Sequence, residues 1–146
     1  MTNRRVIEKL VRLRGQQRDT QRALHAKVCR ELELESAHLA MLLQAYEHQL
    51  DGERERLLAS YEVASTELSF ARLADRRRTI DACRLGLRRL REACRMQKSA
   101  VERAEVELAR AERREETARE EARKVETSME RRLLEDFVSV RFGGGR

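Results

Sequence analysis

Three histidines, three cysteines and a dense set of arginines are the residues of this 146-residue chain that could do chemistry. His25, His38 and His48 could ligate metal or move protons, but they form neither HExxH nor a Cys/His metal quartet. On a polar helical surface each reads as a solvated side chain. Cys29, Cys83 and Cys94 are odd in number and contain no CxxC pair, which suits a reducing compartment. Cys83 and Cys94 would lie about 16 Å apart along one helix, too far to bridge each other. They read as small apolar residues. Gly143, Gly144 and Gly145 lack the GK[ST] and following helix of a phosphate loop. The abundant carboxylates fall where exposed helix faces are expected. No catalytic residue, cofactor or metal is expected, and the chain reads as a non-enzyme.

The arginines pose a different question. Arg76, Arg77 and Arg78, followed by Arg84, Arg88, Arg89, Arg91 and Arg95, could neutralise phosphates. That stretch has no aromatic residue to stack on bases and no recognition motif. Pairing with acidic residues of the same chain is the favoured reading, and no nucleic-acid partner is expected.

The elements that carry these residues follow from spacing. Counting by sevens from Leu73 gives Leu73, Ile80, Leu87, Cys94, Val101, Leu108, Glu115, Ala122 and Met129. A second column runs Arg76, Cys83, Leu90, Gln97, Ala104, Ala111, Ala118 and Val125. These are a and d positions of a heptad repeat, and the positions between are mostly charged. The absence of Pro and Trp, 40% charged residues and 3% aromatics also favour long helices over a thick core. No apolar run approaches the roughly 20 residues that cross a bilayer, and the N-terminus lacks a secretory signal. The protein is expected to be cytoplasmic, with no direct membrane insertion.

The first helix is expected over residues 3–62, capped by Thr2 or Asn3. Its seam is read as Val6, Leu10, Leu13, Gln17, Thr20 and Leu24, with a stutter through Val28 and Leu32. Leu39, Leu43, Tyr46, Leu50 and Leu57 then resume the heptad. A turn at about 63–66 would let Ser65 or Thr66 cap a second helix over about 66–138, roughly 105 Å long. A competing turn lies at Asp75–Thr79, and residues 143–146 are expected to form a flexible tail.

Charge decides how the helices pair. Residues 1–30 carry nine bases against two acids, and 31–71 carry nine acids against two bases. Residues 72–98 return to ten bases against three acids, and 99–136 hold twelve acids against nine bases. Folding at the turn sets each block beside one of opposite sign, whereas a parallel homodimer would place like on like. The predicted fold is all-α, a single domain of two long helices forming an antiparallel coiled-coil hairpin. A monomer is expected, with one end of the longer second helix projecting.

This pattern resembles the FliJ/YscO (SctO) family, the central stalk proteins of flagellar and virulence type III secretion systems. The resemblance rests on the opening Val6-Ile7-Glu8-Lys9-Leu10-Val11-Arg12-Leu13, on Leu42-Leu43-Gln44-Ala45-Tyr46 with Leu50, and on Phe70-Ala71-Arg72-Leu73 after the turn. The Arg-rich second helix and the FVSVRFGGGR ending depart from flagellar members and point to the virulence branch. The resemblance implies a cytoplasmic stalk at the inner membrane, linking a hexameric secretion ATPase to the cytoplasmic domain of the export gate. Secretion chaperones would be further partners. Arg4, Arg5, Arg12, Arg14, Phe137 and Phe142 are its ATPase-contact candidates, and Phe70 and Leu73 its gate candidates. Two other readings stand beside it: a generic coiled-coil scaffold or homodimer, and a basic helical binder of nucleic acid or of chaperone type.

Overall fold

A computed structural model describes residues 2–59 and 62–143. Two helices account for nearly all of them: α1, Thr2–Ala59, and α2, Val63–Phe142. They pack against each other in opposite directions, the antiparallel coiled-coil hairpin expected from the charge blocks. The chain divides into two compact units, an inner one of Gln21–Val101 and a terminal one of Met1–Thr20 with Glu102–Arg146.

The helix ends fall earlier than the predicted turn, because α1 stops at Ala59 and α2 is already helical at Val63. Ser65 and Thr66 therefore lie inside α2 rather than at its cap. Glu62 takes the capping position, its carbonyl accepting from the backbone N–H of Thr66 at 3.0 Å and from the Thr66 hydroxyl at 2.7 Å. The Ser69 hydroxyl bonds back to the Ser65 carbonyl at 2.9 Å. Such hydroxyls satisfy themselves within a helix, so they mark a start only when nothing upstream can take the role. Asp75–Thr79 is helical, with Thr79 bonded to the Asp75 carbonyl, so the competing turn does not form. At the other end α2 finishes at Phe142. A Cβ on Gly143 would strike the Ser139 carbonyl, which explains glycine there. The rest of the expected tail, 144–146, lies outside the described residues.

Within the inner unit the core is a thin line. Leu73 is 8% exposed, and Ile80 and Leu87 are 3% exposed. Cys83, Leu90, Cys94 and Gln97 are half-buried between them, as their heptad positions require. Arg76 is the exception, a d position that stays exposed because its long charged side chain can reach water. In the terminal unit Leu108 and Ala111 are buried, and Ala104, Glu115 and Ala118 are half-buried. From Ala122 onward α2 is exposed at every described residue. The heptad thus ends at Ala118, and Ala122, Val125 and Met129 have the right spacing but no cover.

The other helix corrects the predicted seam. In the terminal unit Val6, Leu13, Gln17 and Thr20 are exposed and Leu10 keeps its predicted half-buried place, while Ile7, Val11, Arg14 and Arg18 turn inward. In the inner unit Leu24 is exposed, while Gln21, His25, Val28, Leu32 and Glu35 are half-buried. These positions alternate in steps of four and three, so no stutter is needed. Leu39, Leu43, Tyr46, Leu50 and Leu57 keep their predicted inward placement. The polar seam residues are tolerated because partners meet them. Arg14 reaches Glu107 at 3.6 Å. The Gln97 amide donates to the Gln21 carbonyl at 3.3 Å and to its side-chain oxygen. Near the turn, Arg56 donates to the Ser65 hydroxyl at 2.6 Å and to the Ser69 hydroxyl, and pairs with Glu53 at 2.9 Å.

Two stability measurements follow. A thin seam gives Leu87→Ala a cost near the low end for buried leucines, about 2–3 kcal/mol. Gly52 lies mid-helix with open space where a Cβ would go, so Gly52→Ala should add about 1 kcal/mol. For a chain of this size that is about 4 °C in thermal melts followed by circular dichroism. A lower melting temperature for Gly52→Ala would contradict the helix at that point.

Candidate metal centre and charged surfaces

The inner unit brings together three side chains that the sequence keeps apart. His25 and Cys29 are four residues apart on α1, which stacks them on one face one turn from each other. Cys94 sits opposite on α2. Its sulfur is 3.4 Å from Cys29 Sγ and 3.7 Å from His25 Nε2. Cys29 Sγ lies 3.6 Å from the same nitrogen. The three atoms form a nearly equilateral triangle, and all three residues are half-buried. His25 is therefore a seam residue, which corrects its reading as a solvated side chain. Hydrogen bonding to Cys94, followed by desolvation and the charges of Cys94 and Glu33, pushes the Cys29 thiol above its ordinary pKa.

A second group lies nearer the turn, where Glu35, His38 and Cys83 hold their ligand atoms within 4.8 Å of one another. The Cys83 thiol donates to the Glu35 carboxylate at 3.7 Å, and His38 Nδ1 is 3.8 Å from the same carboxylate. His38 is exposed. Partial burial first, and then the Glu35 charge and hydrogen bond, raise the Cys83 pKa.

Neither group was predicted. The His-x3-Cys spacing of His25 and Cys29 was the available signal, but Cys94 joins them only once the register of the two helices is known.

The residues singled out by family resemblance are scattered. Phe70 is 61% exposed and free to touch a partner, whereas Leu73 is core and unavailable. Arg4, Arg5 and Arg12 are exposed, and Arg14 is half-buried against Glu107. Phe137 and Phe142 are exposed, with Arg141 stacked 5.7 Å over the Phe137 ring. The structure does not bring the arginines and phenylalanines together. Asn3 and Ile7 share a shallow groove with Thr117, Ala118 and Glu121. Phe137 lies sixteen residues beyond Glu121, about 24 Å further along α2 at 1.5 Å per residue. In the arginine-rich stretch Arg78 pairs with Asp75, Arg84 with Asp81 and Arg95 with Glu92, each within α2. These arginines thus find some acidic partners on their own helix, where pairing across the seam was expected. Among the described residues no helix is long and apolar enough to cross a membrane. No family model matches the chain, and no curated protein and no solved structure matches it.

The Cys83 thiol gives a pH test. A thiol that holds its proton more tightly in the folded state adds stability below its ordinary pKa. That contribution is lost as pH climbs through the raised value. Alkylation of Cys83, followed by peptide mass spectrometry, should be several-fold slower at pH 8 in the folded chain than in urea. Its rate should go on rising with pH after that of the unfolded chain has levelled off, and Glu35→Gln should speed it at pH 8. Equal rates in folded and unfolded chain would contradict the assigned environment.

Proposed function

We propose that this chain is a non-enzymatic central stalk of a type III secretion system, binding the hexameric secretion ATPase and coupling it to the export gate. The observation that supports it is the end of α2. Val125, Met129, Leu133, Leu134, Phe137, Val138, Val140 and Phe142 are all exposed on a helix that has outrun its partner. Water does not stabilise such a surface, and a second protein covering it does. A two-helix hairpin with one arm extended is suited to entering a ring of subunits. Arg4, Arg5 and Arg12 at the start of α1, with Phe137 and Phe142 on α2, would meet the ATPase. Phe70 would meet the cytoplasmic domain of the gate. On this reading the protein works in the cytoplasm, peripheral to the inner membrane, and secretion chaperones are further partners.

The same exposed segment supports a second reading, a scaffold that associates with its own copy. The spacing of Ala122, Val125 and Met129 continues a heptad that nothing covers, and a second helix would complete it.

One experiment separates them. The chain is titrated into a type III secretion ATPase while hydrolysis and hexamer assembly are followed, with light scattering on the chain alone. The stalk reading expects stimulation, and a monomer in isolation. Exposed aromatics at an interface are worth about 2 kcal/mol each, so Phe137→Ala and Phe142→Ala should each weaken ATPase binding about 30-fold. A dimer that ignores the ATPase would replace the stalk with the scaffold. Leu73→Ala is no test of gate contact, because it damages the core.

A further inference from the structure

We propose that His25, Cys29 and Cys94 form a binding site for one thiophilic divalent cation, zinc by its ligand chemistry, which staples α1 to α2. The proposal is independent of the stalk reading and stands on the geometry of the inner unit.

Zinc takes thiolate sulfur at about 2.3 Å and imidazole nitrogen at about 2.0–2.1 Å in a tetrahedron. Those bond lengths require sulfur–sulfur edges of about 3.8 Å and sulfur–nitrogen edges of about 3.5–3.6 Å. The observed edges are 3.4 Å between sulfurs and 3.6 and 3.7 Å from sulfur to nitrogen. A shift of a few tenths of an ångström makes three corners of the coordination sphere. The residue types agree with the distances, since two soft thiolates and one imidazole select zinc over magnesium or calcium. Helix geometry agrees as well. Residues at i and i+4 on α1 supply one edge of the triangle, and the opposing helix supplies its apex. All three groups are half-buried rather than sealed, so an ion can enter.

The fourth corner would carry water or a ligand from elsewhere. Binding balances simply: two S–H groups each release a proton, and His25 offers its Nε2 lone pair with the proton on Nδ1. The dication and the two thiolates cancel, so no net charge is left in the seam. The Glu35–His38–Cys83 group is a weaker competitor, having one sulfur and an exposed histidine.

Cobalt(II) is the probe, added to the full chain kept reduced by a phosphine and freed of metal beforehand. One cobalt per chain is expected, with the intense visible absorption of tetrahedral cobalt and a thiolate charge-transfer band, both removed by added zinc. Cys94→Ser and Cys29→Ser should weaken binding by more than about 100-fold, because loss of an outer-shell partner alone costs 10–100-fold. Cys83→Ser should leave it unchanged. Circular dichroism checks that each variant remains helical. Zinc at a hundred-fold excess over its Kd should raise the melting temperature of the parent chain by about 5–10 °C. It should not do so for Cys94→Ser. Absence of the cobalt spectrum overturns the proposal, as does a spectrum that survives Cys94→Ser or is lost in Cys83→Ser. A reduced chain that ignores cobalt, yet joins Cys29 to Cys94 in air, would hold a redox-active thiol pair instead, and that result also overturns it.

Discussion

The alignment of α1 against α2 is the constraint on which the rest of this structure depends. A seam with so few large apolar residues cannot set that alignment by hydrophobic contact alone, because sliding by one heptad would bury similar area. What distinguishes one alignment from another is the cost of leaving a half-buried polar group unpaired, about 1–3 kcal/mol each. Gln21 meets Gln97, Arg14 meets Glu107, Glu35 meets Cys83, and Arg56 meets Ser65 and Ser69. A shift of seven residues along α2 would set Gln21 against Leu90 or Ala104 in place of Gln97, and in one direction would set Arg14 against Arg114 and Arg56 against Arg72. Polar residues at seam positions are a known means of fixing register in coiled coils. Here they are spread along both helices.

The same logic explains what could be read from the sequence and what could not. The α2 seam from Ile80 to Ala118 was legible because its a column is mostly apolar and its neighbours are charged, so periodicity alone points the stripe inward. In the first half of α1 the apolar residues misled. Val6, Leu13 and Leu24 suggested one face, yet the helix presents Arg14, Arg18, Gln21 and His25 instead. Counting hydrophobic residues treats every polar side chain as a vote for solvent. A polar residue whose partner sits on the opposite helix votes the other way, and that partner is invisible until the helices are aligned. The turn was missed by a few residues for a related reason: Ser65 and Thr66 have the chemistry of caps but bond back within α2. Of the metal-ligating triangle, only the edge on α1 was present in local spacing.

Gln49 shows the rule by its exception. Its side-chain oxygen is buried and has no hydrogen-bond partner among the described residues. It lies in the same column as Arg14, Gln21 and Glu35, all of which are met from α2. The charged exterior makes a weaker contribution to alignment. Pairs such as Arg4–Glu8 and Arg78–Asp75 lie within one helix and are exposed, so they support helicity more than pairing.

The antiparallel arrangement has a consequence for how the chain assembles. Arg56 and Ser65 are nine residues apart in sequence, whereas Arg14 and Glu107 are ninety-three apart. Closing the first loop costs far less chain entropy than closing the second. Contacts near Ala59 and Val63 therefore nucleate, and the remainder zips outward toward the chain ends. Melting runs in the opposite order. The basic start of α1 detaches first, at a site whose loss leaves the inner contacts intact, so that segment can open and reclose on a surface while the rest of the molecule stays folded.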